Sequence, residues 1–380
     1  GPDFRRGGGS GMKVDRRLIV HFDWVLLGLV LLISMAGIIN LYSTGSGFAP
    51  SGAKTLYMKQ LYWFCAGLGF MLVAAAVDYR FIVRNAYWIY GAIMLLLLLV
   101  MIYGNTVHGS QRWLSLGPVS LQPSEFAKIG LVLVLTRYIT NNQAGEAYEI
   151  RNLLVPLGIL FLPVVLIARQ PDLGTALFLV IVAASMIFFI GVKRKTILLF
   201  ASSGVVLLPI LWFCLKDYQR ERIFTFFNPE RDPLGAGYHI IQSVIAIGSG
   251  GVLGKGFLKG TQSQLKFLPE QQTDFVFSVF AEEWGFLGAL VLLALFLFLL
   301  QWGIKIARNS RDLAGTLIAF GVTAMMFWGV FINICMVLGV LPVVGIPLPF
   351  FSYGGSSMAA MMIGIGLLMN VSMRRYILQP

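Results

Sequence analysis

Residues 228–285 read NPERDPLGAGYHIIQSVIAIGSGGVLGKGFLKGTQSQLKFLPEQQTDFVFSVFAEEWG. They form the only long polar, glycine-rich interval of a chain that is otherwise mostly apolar, and they place Asp274 at the start of the next hydrophobic run. An ionisable side chain at the edge of a membrane segment is costly and therefore indicates function. The sequence predicts that the rest of the chain holds this interval in place.

The composition indicates the class of protein. Of the 380 residues, 57% are hydrophobic and only 12% are charged, whereas soluble domains carry roughly 25% charged residues. The chain is therefore predicted to be a polytopic membrane protein. Residues 1–11, GPDFRRGGGSG, have no apolar period and are interpreted as an expression-tag remnant and linker, which leaves a single membrane domain at 12–380.

About ten hydrophobic runs have roughly the 20 residues that a helix needs to cross a bilayer core. We expect an all-α fold with ten spans and a large loop, 216–273, between the seventh and the eighth. The predicted spans are 22–43, 56–77, 86–103, 124–140, 152–168, 174–192, 196–215, 274–302, 312–339 and 354–373.

Lysine and arginine residues cluster in alternate loops, for example at 193–195 and 374–375. Because cytoplasmic loops carry the excess of basic residues, both termini are predicted to be cytoplasmic and the large loop to be external. The formal charge of +12 is therefore explained by the orientation of the chain in the membrane. It does not indicate nucleic-acid binding, since the basic residues form no continuous face. Basic residues in the large loop leave two interpretations open: translocation regardless of charge, or contact with an anionic headgroup or diphosphate.

Two segments on the external side are predicted to have local structure. Residues 238–248 place isoleucine and valine at nearly helical spacing, which indicates a short helix, either in the membrane interface or packed against the protein. Residues 339–357, GVLPVVGIPLPFFSYGGSS, are apolar but too rich in proline for a helix. They fit a re-entrant plug beside the site or an interfacial loop that caps the bundle.

Two further polar clusters face the same side. In 108–128, HGSQRWLSLGPVSLQPSEFAK, Glu125 and Lys128 are three residues apart and so share one face of a helix, which predicts an ion pair with a structural or a catalytic role. RQPDLGT places Asp172 between the fifth and sixth spans. Nucleotide-binding loops are absent and the three histidines are too scattered to bind zinc, so the chain is expected to act on something already in the membrane.

These motifs, in this order, resemble the SEDS family of shape, elongation, division and sporulation proteins, and the resemblance extends from the first span to the last. DPLGAGYHIIQS and KGTQSQLKFLPE are more similar to the elongation branch than to the division branch. The resemblance implies a ten-span peptidoglycan glycosyltransferase that polymerises lipid II at the outer face of the bacterial cytoplasmic membrane during elongation. It also implies a class B penicillin-binding protein, a transpeptidase, as partner.

The resemblance assigns the essential carboxylate to Asp274, and it assigns binding or supporting roles to Arg112, Glu125, Lys128 and Asp172. It implies no metal site and fixes no cofactor, although a divalent cation, Mg²⁺ or Mn²⁺, is compatible with it. Many relatives have histidine before the TDF motif where this chain has glutamine, so that histidine cannot be a required proton shuttle here.

The chemistry agrees with a single displacement that inverts the anomeric carbon, with Asp274 as general base and cations beside the departing diphosphate. A lipid II flippase is the competing function, because a transporter also needs ionisable residues between spans. The polar clusters gather on the external side, which favours the enzyme. A helix cap is the competing role for Asp274.

Overall fold

The computed structural model describes residues 22–46, 50–107, 110–117, 119–142, 148–214, 217–232, 235–265, 267–268 and 270–375. The segment interpreted as a tag remnant, 1–11, lies outside the described residues. Within them, helices account for nearly all regular structure. They are α1 (Trp24–Ser46), α2 (Pro50–Ala76), α3 (Tyr79–Arg84), α4 (Ala86–Tyr103), α5 (Pro123–Asn141), α6 (Ile150–Arg169), α7 (Leu173–Phe189), α8 (Arg194–Cys214), α9 (Asp217–Phe227), α10 (Ala236–Ser249), α11 (Thr261–Gln264), α12 (Val276–Arg308), α13 (Leu313–Val337) and α14 (Gly355–Arg374).

Seven helices in the described part of the chain are long and apolar enough to cross a membrane: α1, α2, α4, α6, α12, α13 and α14. Helix α7 is apolar but shorter, and α5 and α8 occupy the fourth and seventh predicted spans. The chain is thus a mostly helical membrane protein. The count of ten spans stays a prediction.

The expectation of an all-α fold is wrong in one place. Residues 105–121 form a small antiparallel sheet of β1 (Asn105–Val107), β2 (Ser110–Leu116) and β3 (Val119–Leu121), with β2 in the centre. Leu114 pairs with Leu121 and Leu116 with Val119, so that alternate apolar residues share one face of the hairpin. The sheet leads directly into α5 and brings Arg112 toward the site.

The large loop also contains helices. Helix α10 confirms the short helix predicted at 238–248. The face that carries Ser243 packs against α12 and α13. The Ser243 hydroxyl lies 2.8 Å from that of Ser278 in α12 and donates to the carbonyl of Val337, at 2.6 Å, in α13. Of the two interpretations, packing against the protein holds for this face, while Val244 and Ile245 remain exposed on the other.

Helix α12 is broken at Gly285, where the span at 274–302 was expected to be continuous. Gly285 has φ 66 and ψ −165, a conformation that is open only to glycine. Backbone groups freed by the break are paired with the loop at 251–256: Lys255 N–H donates to Glu282 O at 3.0 Å, and Phe286 N–H donates to Gly251 O at 2.9 Å. The break therefore ties the large loop to the membrane helix.

The buried centre of the bundle is built by α13 and α14, whose side chains are mostly hidden. Helix α14 packs against α2, and α13 packs against α5, α7 and α12. The α13–α14 connection, 338–354, carries the prolines and has no helix in the structure. It lies among these elements, so that its backbone reaches the start of both α7 and α12.

Candidate functional site

Asp274 lies in a tight turn just before α12. The amide groups of Thr273, Asp274 and Phe275 all point to the carbonyl of Glu270, at 3.2, 3.2 and 3.4 Å. Phe275 holds the N-cap position of α12, and no side chain caps this end. The structure therefore does not use Asp274 as a helix cap, and its half-buried carboxylate faces the site instead.

The α13–α14 connection faces this carboxylate. A methyl group built on Gly345 would lie 3.5 Å from Oδ2 of Asp274, and one built on Gly174 at the start of α7 would overlap the carbonyl oxygen of Val344. Gly174 therefore needs glycine for close approach, whereas Gly345 needs it because its φ is 71°. As a result, two successive residues of the connection bring the Asp274 turn and the beginning of α7 together.

Arg112 and Asp172 form an ion pair on the α7 side. Nη1 of Arg112 lies 3.6 Å from Oδ1 of Asp172, and the guanidinium also donates to the carbonyls of Gln170, at 3.3 Å, and Pro171. Asp172 accepts from the amide of Thr175 at 3.2 Å and so caps α7. Its other carboxylate oxygen is buried and has no hydrogen-bond partner among the described residues.

Arg222 approaches from the opposite side, from α9 in the large loop. Its Nη1 donates to the carbonyl of Val343 at 3.3 Å. Val343 directly precedes Val344, which approaches α7, and Gly345, which approaches Asp274. From the sequence, Arg222 is one of several basic residues of the large loop, and nothing in its neighbourhood places it at the site. Only the folded α13–α14 connection brings it there.

Burial raises the pKa of Asp274 to about 7. The negative charge of Glu270 adds to the effect, that of Asp172 adds less, and the positive charges of Arg222 and Arg112 oppose it. A carboxylate that titrates near neutral pH is well suited to accept a proton at that pH. The environment thus gives Asp274 the property required of a general base.

Glu125 and Lys128 form the predicted ion pair in the first turns of α5. Nζ of Lys128 lies 2.6 Å from Oε1 of Glu125, and both side chains are buried. The ammonium also lies 4.8 Å from the ring centroid of Phe178 in α7. This pair is separate from the Arg112–Asp172 pair, and it joins α5 to α7.

Asn333 and Ser352 also contribute to the site, and the sequence argument did not single them out. The Asn333 amide donates to the carbonyl of Asp274 at 2.9 Å, and the Ser352 hydroxyl donates to that of Thr273 at 2.5 Å. An asparagine inside an apolar run was the available signal, because a buried polar group in a membrane helix is costly. In the described part of the chain, no three His, Cys, Asp or Glu residues are grouped as metal ligands would be.

Comparisons with known proteins agree on one family. The family model for cell cycle proteins of the FtsW, RodA and SpoVE type matches residues 16–377. The chain is 42% identical over 361 residues to the peptidoglycan glycosyltransferase MrdB of Escherichia coli K12, covering 94% of this chain and 95% of that protein. It is 33% identical to the peptidoglycan glycosyltransferase RodA of Treponema pallidum, covering 94% and 99%.

Solved structures give the same result. A chain of a peptidoglycan synthase complex, solved to show how polymerization and crosslinking are coordinated, matches with a TM-score of 0.79 and 36% identity, covering 93% of this chain and 98% of that one. The rod shape determining protein RodA of Thermus thermophilus matches with a TM-score of 0.69 and 30% identity over the same shares.

Proposed function

The chain belongs to the FtsW, RodA and SpoVE family of cell cycle proteins, and we infer from this membership and from its site that it is a peptidoglycan glycosyltransferase. The solved structure of the rod shape determining protein RodA of Thermus thermophilus, 30% identical to this chain, supports a role in rod shape. DPLGAGYHIIQS and KGTQSQLKFLPE, which resemble the elongation branch, support a role in elongation. The substrate is lipid II, a disaccharide peptide on undecaprenyl diphosphate.

The observation that carries the mechanism is the half-buried Asp274, whose pKa of about 7 fits a general base. Asp274 accepts the proton of the acceptor 4-hydroxyl, and the acceptor oxygen forms a bond to the anomeric carbon of the donor. The bond from that carbon to the diphosphate oxygen breaks on the opposite face. Undecaprenyl diphosphate leaves as an anion, and the configuration inverts without an enzyme nucleophile.

Arg112 and Arg222 supply positive charge where the diphosphate gains negative charge. Both guanidiniums lower the pKa of Asp274 through their charge, and they belong to β2 and α9. Asp172 orients Arg112 through their ion pair. Glu125 and Lys128 support the site by fixing α5 against α7.

The partner is a class B penicillin-binding protein that cross-links the new strands. The match to a chain of a peptidoglycan synthase complex supports this assignment. We place the protein in the bacterial cytoplasmic membrane with ten spans, both termini in the cytoplasm and Asp274 on the outer side, as the basic loops suggest. The names of the relatives, all glycosyltransferases, favour polymerisation over the flippase alternative.

The test is polymerisation of lipid II by the purified protein with its transpeptidase partner, followed by gel separation of the glycan strands. Asp274→Asn keeps the size of the side chain but cannot accept a proton, so polymerisation should fall by about 10²-fold or more. Glu230→Gln, which neutralises an exposed acid of the same loop, is the matched control and should stay active. Near-normal polymerisation by Asp274→Asn would show that Asp274 is not the base.

A further inference from the structure

Asn333 is a fully buried amide near the C-terminal end of α13, a helix that is otherwise apolar over most of its length. Its Nδ2 lies 2.9 Å from the carbonyl oxygen of Asp274 and 2.8 Å from that of Ile346. Both partners can only accept, so the NH₂ group must face them and both of its hydrogens are used. A buried amide in a membrane helix is costly unless such bonds compensate.

The two carbonyls belong to two segments of the chain that meet at the Asp274 carboxylate. One belongs to Asp274 itself and so fixes the backbone from which that side chain extends. The other follows Gly345, whose α-carbon faces Oδ2 of Asp274 closely enough that an added methyl group would contact it at 3.5 Å. One side chain therefore sets the position of the carboxylate and of the backbone opposite it.

Other hydrogen bonds also hold the turn that carries Asp274. The Ser352 hydroxyl accepts from the amide of Leu348 at 2.8 Å and donates to the carbonyl of Thr273 at 2.5 Å. The amide of Tyr353 donates to the carbonyl of Gln272 at 2.9 Å. The carbonyls of three successive residues, 272–274, are thus held by α13 and the connection that follows it. This turn precedes α12 and has no helical hydrogen bonds of its own to hold its carbonyls.

We propose that Asn333 is a positioning residue for glycosyl transfer, which holds the Asp274 carboxylate against the α13–α14 connection and so sets its distance to the acceptor hydroxyl that it deprotonates. The proposal rests on the proposed function, in which Asp274 is the base. A base must lie within hydrogen-bond reach of the proton that it removes. Misplacement by about 1 Å can cost about 10²-fold in rate.

The test compares Asn333→Ala with the wild type in lipid II polymerisation, measured as kcat and KM across pH with the transpeptidase partner present. We expect kcat to fall by about 10²-fold with KM little changed, because the base is misplaced while the binding residues stay. Loosening the turn also admits water to the carboxylate. Since burial is what raises the Asp274 pKa, the acid limb of the profile should move to lower pH.

The matched control is Asn370→Ala. Asn370 is also a fully buried amide that donates to two carbonyls, those of Ala74 and Val77, but it lies near the C-terminal end of α14. Its loss should lower the melting temperature and leave kcat per folded molecule and the pH profile unchanged. If Asn333→Ala behaves in the same way, Asn333 is only structural and the proposal is overturned.

Two further variants keep the outcome decisive. If Asn333→Ala does not fold, Asn333→Leu fills about the same space without donating to either carbonyl and should lower kcat in the same direction; wild-type kinetics would overturn the proposal. Asp274→Asn is assayed in parallel. Activity in Asp274→Asn refutes the base itself, whereas an inactive Asp274→Asn with a fully active Asn333→Ala refutes only the positioning role.

Discussion

Removing one partner of the Glu125–Lys128 pair should be worse than removing both. The two side chains are only 4% and 3% exposed, and they are joined at 2.6 Å. Breaking a buried pair leaves an uncompensated charge and costs about 3–5 kcal/mol, whereas replacing both partners with apolar side chains is often neutral. Glu125→Leu, Lys128→Met and the double variant therefore form an informative cycle.

The two single variants should also differ. After Glu125→Leu, the ammonium of Lys128 keeps the face of the Phe178 ring at 4.8 Å, which offsets part of the loss. After Lys128→Met, Glu125 keeps no comparable contact, and its Oε2 is already buried without a hydrogen-bond partner among the described residues. We therefore expect Lys128→Met to be the more destabilising single change.

Free energies of unfolding can be measured by SDS titration in mixed micelles. The loss in the double variant should be smaller than either single loss. Glu149 and Lys193 provide the control, since they are also joined at 2.6 Å but are 56% and 50% exposed. That cycle should show no measurable coupling, because water screens the pair. Additive losses at Glu125 and Lys128 would refute the reasoning.

Three other predictions concern the site and its orientation. Arg222→Gln removes a positive charge that lowers the Asp274 pKa, so the acid limb of kcat/KM should move to higher pH, while Arg220→Gln on the same helix should leave it in place. Asp274 is protonated more readily in the folded state than in the unfolded state, where its pKa is about 3.9, so its contribution to stability is lost as pH rises through about 7. Asp274→Asn should therefore melt higher than the wild type at pH 8 and equally below about pH 4; equal melting at pH 8 would contradict the raised pKa. In a cysteine-free background, an impermeant thiol reagent applied outside cells should label Lys259→Cys and miss Asn309→Cys, both at exposed positions; the reverse pattern would invert the topology.

The sequence predicts what depends on neighbouring residues. Apolar runs of sufficient length located α1, α13 and α14, and the spacing of three between Glu125 and Lys128 sufficed for their ion pair. Asp274 was recognisable as a charge at the edge of a membrane span. Each of these features depends only on a short stretch of the sequence.

Features that depend on distant contacts were not predictable. Gly285 lies inside a long apolar run, and its break is stable only because residues 251–256 pair with the exposed backbone. Arg222 reaches the site through Val343, more than a hundred positions away. Asn333 has one partner in the turn before α12 and one in the connection that follows α13, and no spacing within α13 indicates either.

The break in α12 divides the helix into a part of membrane length and a short part that follows the Asp274 turn. Trp284 lies beside the break and is 44% exposed, while Trp302 lies toward the other end, with Lys305 over its ring at 4.0 Å. At a rise of roughly 1.5 Å per residue, the two tryptophans are about 27 Å apart, close to the thickness of a hydrocarbon core, whose boundaries tryptophan prefers. Residues 276–284 lie on the other side of the break and are tied to the loop at 251–256. With Asp274 on the outer side, as proposed, this short segment holds the carboxylate at the end of the span, where it meets a lipid-linked sugar while the polyprenyl chain stays in the membrane.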